Sequence, residues 1–109
     1  MSEFDYLDSV VSTIAAREGA DPETSYVAKL LKKGTRRIAK KVGEEGVEVA
    51  IAAVAQPKEK TVSESADLLF HLLVLWKSLG IRPSDVMEEL KRRENISGIT
   101  EKKSRVGSS

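Results

Sequence analysis

Residues 64–80 read ESADLLFHLLVLWKSLG. From Leu68 to Leu75 every position is apolar except His71. A helix that is apolar on nearly every side has to be covered on every side. Membrane lipid does not provide that cover. The run from Leu68 to Trp76 is far shorter than the roughly 20 residues that cross a bilayer. Gly80 stands where a glycine commonly closes a helix. The stretch therefore predicts a central helix, starting near Thr61 or Ser63, that other helices must enclose.

The rest of the chain supplies them. Upstream, KKVGEEGVEVA (40–50) lies within a helix that Thr35 can cap and that runs to about Gln56, before Pro57. PKEK (57–60) reads as a polar connector, and helices joined by so short a link normally pack antiparallel. A first helix runs from about Glu3 to Arg17, capped by Ser2, with Phe4, Leu7, Val11 and Ile14 as its stripe. Asp21 can cap a second, with Pro22 in its first turn, carrying Tyr26, Val27, Leu30 and Leu31 to about Gly34. RPSD (82–85) opens a fifth, carrying Val86, Met87 and Leu90 to about Arg93. The fold class is all-α: a bundle of four to five helices with paired antiparallel central helices. Residues 1–94 form one domain and 95–109 a polar C-terminal tail. Helices this few and this short do not enclose the apolar fourth in a monomer, so a homodimer is expected with that helix near its core.

Composition narrows the chemistry. Of 109 residues, 40% are apolar and 32% charged, the balance of a globular domain. There is no cysteine, hence no disulfide framework and no thiolate zinc site. A net charge of +1 argues against a dedicated nucleic-acid partner. MSEFDYLDSVV (1–11) has acids where a signal peptide would be basic, and no run suits a membrane, so a cytoplasmic location is expected.

The acids form a pattern. At about 100° per residue, Glu48 lies about 60° from Glu45 and about 40° from Glu44 around the helix. Glu64 and Asp67 repeat the i, i+3 spacing on the next helix. Antiparallel packing can set the two groups face to face. Carboxylates crowded together repel, and some stay protonated unless a cation joins them. All-oxygen donors suit Mg²⁺, with Mn²⁺ as an alternative. The competing reading is a solvated face, with Lys40 and Lys41 pairing at i, i+4. Gly43 and Gly46 are costly inside a helix and suggest that a helix or ligand comes close.

Seven cations lie between Lys29 and Lys41 and lead into these acids. Cations beside an acidic metal cluster suit a phosphorylated substrate, with Lys40 and Lys41 as the phosphate contacts. His71, the one histidine, lies a turn after Asp67; it reads first as a core or interface histidine that must find a hydrogen-bond partner, with Asp67 as a candidate partner and a metal or catalytic role as the alternative. Phe70 and Trp76 read as packing residues. No Ser/His/Asp set and no P-loop accompanies them.

Four blocks in order carry a resemblance: SYVAKLL (25–31), KKVGEEGVEVAIAA (40–53), ESADLLFHLLVLW (64–76) and RRENISGITEKKSR (92–105). Together they resemble the phosphoribosyl-ATP pyrophosphatase family of histidine biosynthesis, within the all-α, MazG-like nucleotide pyrophosphohydrolases marked by EExxE followed by ExxD. The resemblance spans about Ser25 to Arg105. It implies a helical homodimer that hydrolyses 1-(5-phosphoribosyl)-ATP to 1-(5-phosphoribosyl)-AMP and pyrophosphate. It implies Glu45, Glu48, Glu64 and Asp67 as Mg²⁺ ligands, and Glu44 with Glu45 as the catalytic carboxylates, Glu44 ligating metal or holding the nucleophilic water. Lys40 and Lys41 would bind phosphate, and Arg92, Arg93, Ser97, Lys102 and Arg105 would close over the substrate. Gly46 and Ser65 depart from the residues common in that family, and neither is an implied ligand. Relatives fused to a cyclohydrolase are longer and use cysteines. Two rivals stay open on sequence alone: a MazG-like enzyme that clears other nucleoside triphosphates, and a helical dimerisation module without catalysis.

Overall fold

The computed structural model describes residues 3–94, with side chains from Tyr6 onward. Five helices follow in order: α1 (Glu3–Arg17), α2 (Tyr26–Lys33), α3 (Thr35–Ala55), α4 (Lys58–Leu79) and α5 (Pro83–Glu94). Among the described residues there is no strand, as the helical periodicity predicts. Ser2 and the segment 95–109 lie outside the described residues, as does the side chain of Phe4.

The core takes one or two residues from each of the first four helices. Ile14, Leu30, Ile38, Leu73 and Val74 form the buried cluster. Leu7, Val11, Val27, Leu31, Phe70 and Trp76 pack against it. Leu7, Val11 and Ile14 of the first helix's stripe and the packing roles of Phe70 and Trp76 thus meet expectation. α5 buries no residue, and its Leu90 is exposed.

α3 and α4 run antiparallel. The Thr35 hydroxyl at the start of α3 donates to Ser78 Oγ at the end of α4, at 3.0 Å. Thr35 therefore does not cap its own helix. Gly34 holds the N-cap position with φ +92°, a conformation in which a side chain is strained, so α2 passes into α3 over one residue. Asp21 does not cap α2 either. Its Oδ1 accepts from Glu23 N at 3.0 Å and closes a turn, while Ser25 Oγ takes the orphan Ala28 N–H at 3.1 Å. Ser25 is next to Ala28 and Leu30, which are buried, so a helix starting there places its apolar face inward.

The PKEK connector is also corrected. Only Gln56 and Pro57 separate α3 from α4, and helix begins at Lys58. Pro57, in extended geometry with φ −61°, serves as the N-cap position and the polar residues after it form the first turn. At the other end Gly80 adopts a left-handed conformation, φ 72°, and Ile81 N–H reaches Trp76 O at 2.9 Å, closing α4 as expected.

α4 is not enclosed. Val62 is 62% exposed and Leu69 45%. On α3, Val47, Ile51 and Val54 follow one another at i, i+4, i+7 and are all exposed. Among the described residues no helix is long and apolar enough to cross a membrane.

Candidate active site

The buried residues of α3 are Ile38, Glu45 and Ala52, each seven positions from the next. Glu45 thus occupies a seam position between two core residues. On α4 the same spacing joins Glu64 to His71. The two glutamates are held against each other because their helices pack along these seams.

Glu45 is 5% exposed and Glu64 9%. Each has one lysine from its own helix. Lys41 Nζ lies 3.2 Å from Glu45 Oε1, and Lys60 Nζ lies 3.1 Å from Glu64 Oε1. The other oxygens, Glu45 Oε2 and Glu64 Oε2, are buried and make no hydrogen bond. Glu48 joins them from the exposed side, and one oxygen of each of the three carboxylates lies within 4.8 Å of the others.

Electrostatics follow from that crowding. Glu48 is held above the usual carboxylate range, first by a proton it can share with Glu64 and then by the charges of Glu45 and Glu64. When both are ionised neither donates to the other. Glu64 is held below its usual range, chiefly by the Lys60 hydrogen bond. Lys41 is raised by its hydrogen bond to Glu45, and Lys60 by its bond to Glu64, with a smaller contribution from Asp67.

A divalent cation fits this site. Buried polar atoms almost always find a partner, and the two that lack one belong to carboxylates clustered with a third. The donors are all oxygen, as Mg²⁺ requires.

The other sequence-predicted residues fall around this trio. Asp67 is exposed, one turn after Glu64, and is not part of the trio. Glu44 is exposed and adds to the field at Lys41. Lys40 is exposed, whereas the i, i+4 pairing expected of Lys41 is present. Arg92 and Arg93, on α5, both donate to Glu89. Ser97, Lys102 and Arg105 lie outside the described residues.

His71 is buried with both ring nitrogens partnered, as a core histidine is expected to be, but not by the suggested group. Its partner is not the Asp67 carboxylate but the Asp67 backbone carbonyl, 2.7 Å from Nδ1. A carbonyl only accepts, so Nδ1 carries the hydrogen, and Nε2 is free to accept from the Tyr26 hydroxyl at 3.0 Å. Tyr26 also stacks on Phe70, with ring centroids 6.1 Å apart. At Gly43 and Gly46, among the described residues, nothing of this chain lies within 4 Å of an added β-carbon, so no helix of the same chain needs their bareness.

Sequence reasoning missed Lys60 and Tyr26. Lys60 was legible as an i, i+4 partner of Glu64 once the connector is read as helix. Tyr26 had no local signal, since its partner is 45 residues away.

An antiparallel helix pair presenting an EExxE and an ExxD segment to each other, inside an all-α bundle, defines the MazG-like class of nucleotide pyrophosphohydrolases. Comparison with protein families narrows it. The family model for phosphoribosyl-ATP pyrophosphohydrolase matches residues 7–94, and the chain belongs to that family. Among its relatives, phosphoribosyl-ATP pyrophosphatase of Azospirillum brasilense is 57% identical over 99 residues, 91% of this chain and 89% of that one. Those of Paramagnetospirillum magneticum and Rhizorhabdus wittichii are 52% and 54% identical over the same share of this chain, and 91% and 93% of theirs. Membership makes this protein a hydrolase of the phosphoanhydride bond in phosphoribosyl-ATP, a step of histidine biosynthesis.

Proposed function

We propose that Glu45, Glu48 and Glu64, completed by Asp67, hold Mg²⁺ (with Mn²⁺ as a substitute) for the hydrolysis of 1-(5-phosphoribosyl)-ATP to 1-(5-phosphoribosyl)-AMP and pyrophosphate. The observation that carries this reading is the pair of buried oxygens, Glu45 Oε2 and Glu64 Oε2, left without hydrogen bonds beside Glu48. Mg²⁺ when bound supplies charge neutralisation of the triphosphate and acidifies water.

The chain's own groups do the rest. Glu44, exposed one turn before Glu48, accepts the proton of the attacking water together with Glu45. Lys40 and Lys41 bind phosphate oxygens and orient the polyphosphate toward the trio. Lys41 does so from a position already fixed by Glu45. His71 steadies the turn of α4 that bears Asp67 by holding its carbonyl. Arg92 and Arg93 of α5 bind the substrate, as do Ser97, Lys102 and Arg105, which lie beyond the described residues. A second copy covers the exposed stripes of α3 and α4, so the working unit is a homodimer, and the enzyme acts in the cytoplasm.

The test is release of pyrophosphate from phosphoribosyl-ATP with and without Mg²⁺, run beside plain nucleoside triphosphates. Mg²⁺-dependent release from phosphoribosyl-ATP is the expected result. A preference for a plain triphosphate overturns the substrate assignment, and release without any divalent ion overturns the metal assignment.

A further inference from the structure

The carboxylate trio is clamped by two lysines, and they are not equivalent. Lys41 is the predicted phosphate contact on α3. Lys60 sits on the opposite helix and holds Glu64 Oε1 at 3.1 Å. Its side chain is 52% exposed against 40% for Lys41. It also lines an open hollow of about 570 Å³ at the α3–α4 turn, with Gln56, Pro57, Glu59 and Ser63. An ammonium leaving Glu64 therefore has somewhere to go.

Charge decides whether it leaves. Four carboxylates, Asp67 included, and two ammoniums sum to about two net negative charges. A divalent cation on the same oxygens cancels that charge and sets a like charge a few ångströms from the ammonium on Glu64, and like charges that close repel. The lysine with more solvent and more room yields first. A polyphosphate beside the ion then offers it anionic oxygens in place of Glu64.

We propose that Lys60 is a substrate-binding residue that Glu64 holds in reserve, released by the divalent ion to the polyphosphate. This rests on the metal reading of the trio. Lys60 then couples the two ligands: it opposes the ion when the ion binds alone and favours the substrate once the ion is in place.

The experiment compares the full chain with Lys60→Gln, Lys60→Arg and the exposed neighbour Lys58→Gln. Mg²⁺ binding without substrate is measured by calorimetry, and KM and kcat for phosphoribosyl-ATP by pyrophosphate release. For Lys60→Gln, Mg²⁺ alone binds about 3- to 10-fold tighter, because a like charge is gone. Its KM rises about 10-fold, the loss of one charge-assisted contact, with kcat within about 3-fold. Lys60→Arg keeps wild-type KM, and Lys58→Gln matches wild type throughout. A merely structural lysine would not tighten the metal while loosening the substrate. An unchanged KM in Lys60→Gln, or weaker Mg²⁺ binding, overturns the assignment of Lys60 alone. A wild-type chain that neither binds Mg²⁺ nor releases pyrophosphate overturns the reading beneath it.

Discussion

Glu45 on α3 and Glu64 on α4 each give one carboxylate oxygen to a lysine of their own helix and keep the other buried without a hydrogen bond. Two such oxygens, with Glu48 beside them, make a site whose metal-free form is under electrostatic strain.

That strain has a measurable sign at Glu48. Its carboxyl is raised in the fold by Glu64 and Glu45. A raised acid stabilises the fold at low pH, and that stability is lost as pH rises through the folded value. Metal-free protein is therefore expected to lose melting temperature as pH rises above 4.5 and through the folded value of Glu48. Glu48→Gln removes that part of the slope and melts higher than wild type at neutral pH. With Mg²⁺ the order reverses: wild type gains stability and the variant does not. Thermal unfolding across pH, with and without Mg²⁺, reads both effects. Equal melting of the two proteins without metal would contradict the argument.

The trio and Asp67 are expected to differ in degree. Glu64→Gln removes a carboxylate within 4.8 Å of its partners, while Asp67→Asn alters an exposed group one turn away. Both lower Mg²⁺ affinity and turnover and leave the fold intact. The Glu64→Gln loss is about 100-fold or more in kcat, and the Asp67→Asn loss is smaller in metal affinity. Calorimetric Mg²⁺ titration of the two variants ranks them. A larger metal loss for Asp67→Asn would place the ion further along α4.

Much of this was legible before the structure, and the failures share a cause. Gly80 and the apolar run before it fixed the end and the placement of α4, because a left-handed closing glycine and all-round hydrophobicity are local signals. The start of α4 was misread because Lys58, Glu59 and Lys60 have no apolar member to reveal a helical turn. Asp21 and Ser25 both offered a cap, and only the burial of Ala28 and Leu30 selects Ser25. The acids were legible as a cluster from spacing. Their division into buried Glu45 and exposed Glu44 follows from the Ile38, Glu45, Ala52 seam, a seven-residue pattern present in the sequence but masked by three neighbouring glutamates. The Tyr26–His71 bond needed tertiary structure.

That bond gives a stability prediction. Tyr26→Phe leaves His71 Nε2, in a residue 5% exposed, without its hydroxyl donor. The expected cost is about 1 kcal/mol in chemical denaturation. Ring stacking on Phe70 is kept, so the variant folds. Turnover changes by less than about 3-fold if the pair only fixes α2 to α4. A loss of 100-fold would give Tyr26 a place at the substrate.

Acid acts on α5 by a different route. Glu89 is held at about 2, below its ordinary 4.5, first by Arg92 and then by Arg93. A depressed carboxyl contributes stability above its unfolded value and loses it as pH falls through the folded one. The stability difference between wild type and Glu89→Gln should be full above pH 4.5 and vanish towards pH 2. Amide exchange of α5 over that window tests it, and a difference that persists unchanged at pH 2 would refute it.

The last prediction concerns the uncovered helix pair. Val47, Ile51 and Val54 form one exposed stripe on α3, and Val62 with Leu69 forms another on α4. Apolar surface of this continuity is rarely left to water. A second copy of the chain, related by a two-fold axis, would bury the same stripes on both partners. Sedimentation is expected to give a dimer for wild type at micromolar concentration. Ile51→Asp, at the centre of the α3 stripe, adds one charge to each subunit at the proposed contact and should shift the protein to monomer. Ile51 belongs to neither the buried cluster nor the carboxylate trio, so helicity measured by circular dichroism should stay near wild type. A wild-type monomer, or a dimer untouched by Ile51→Asp, would show that these stripes are not where two copies meet.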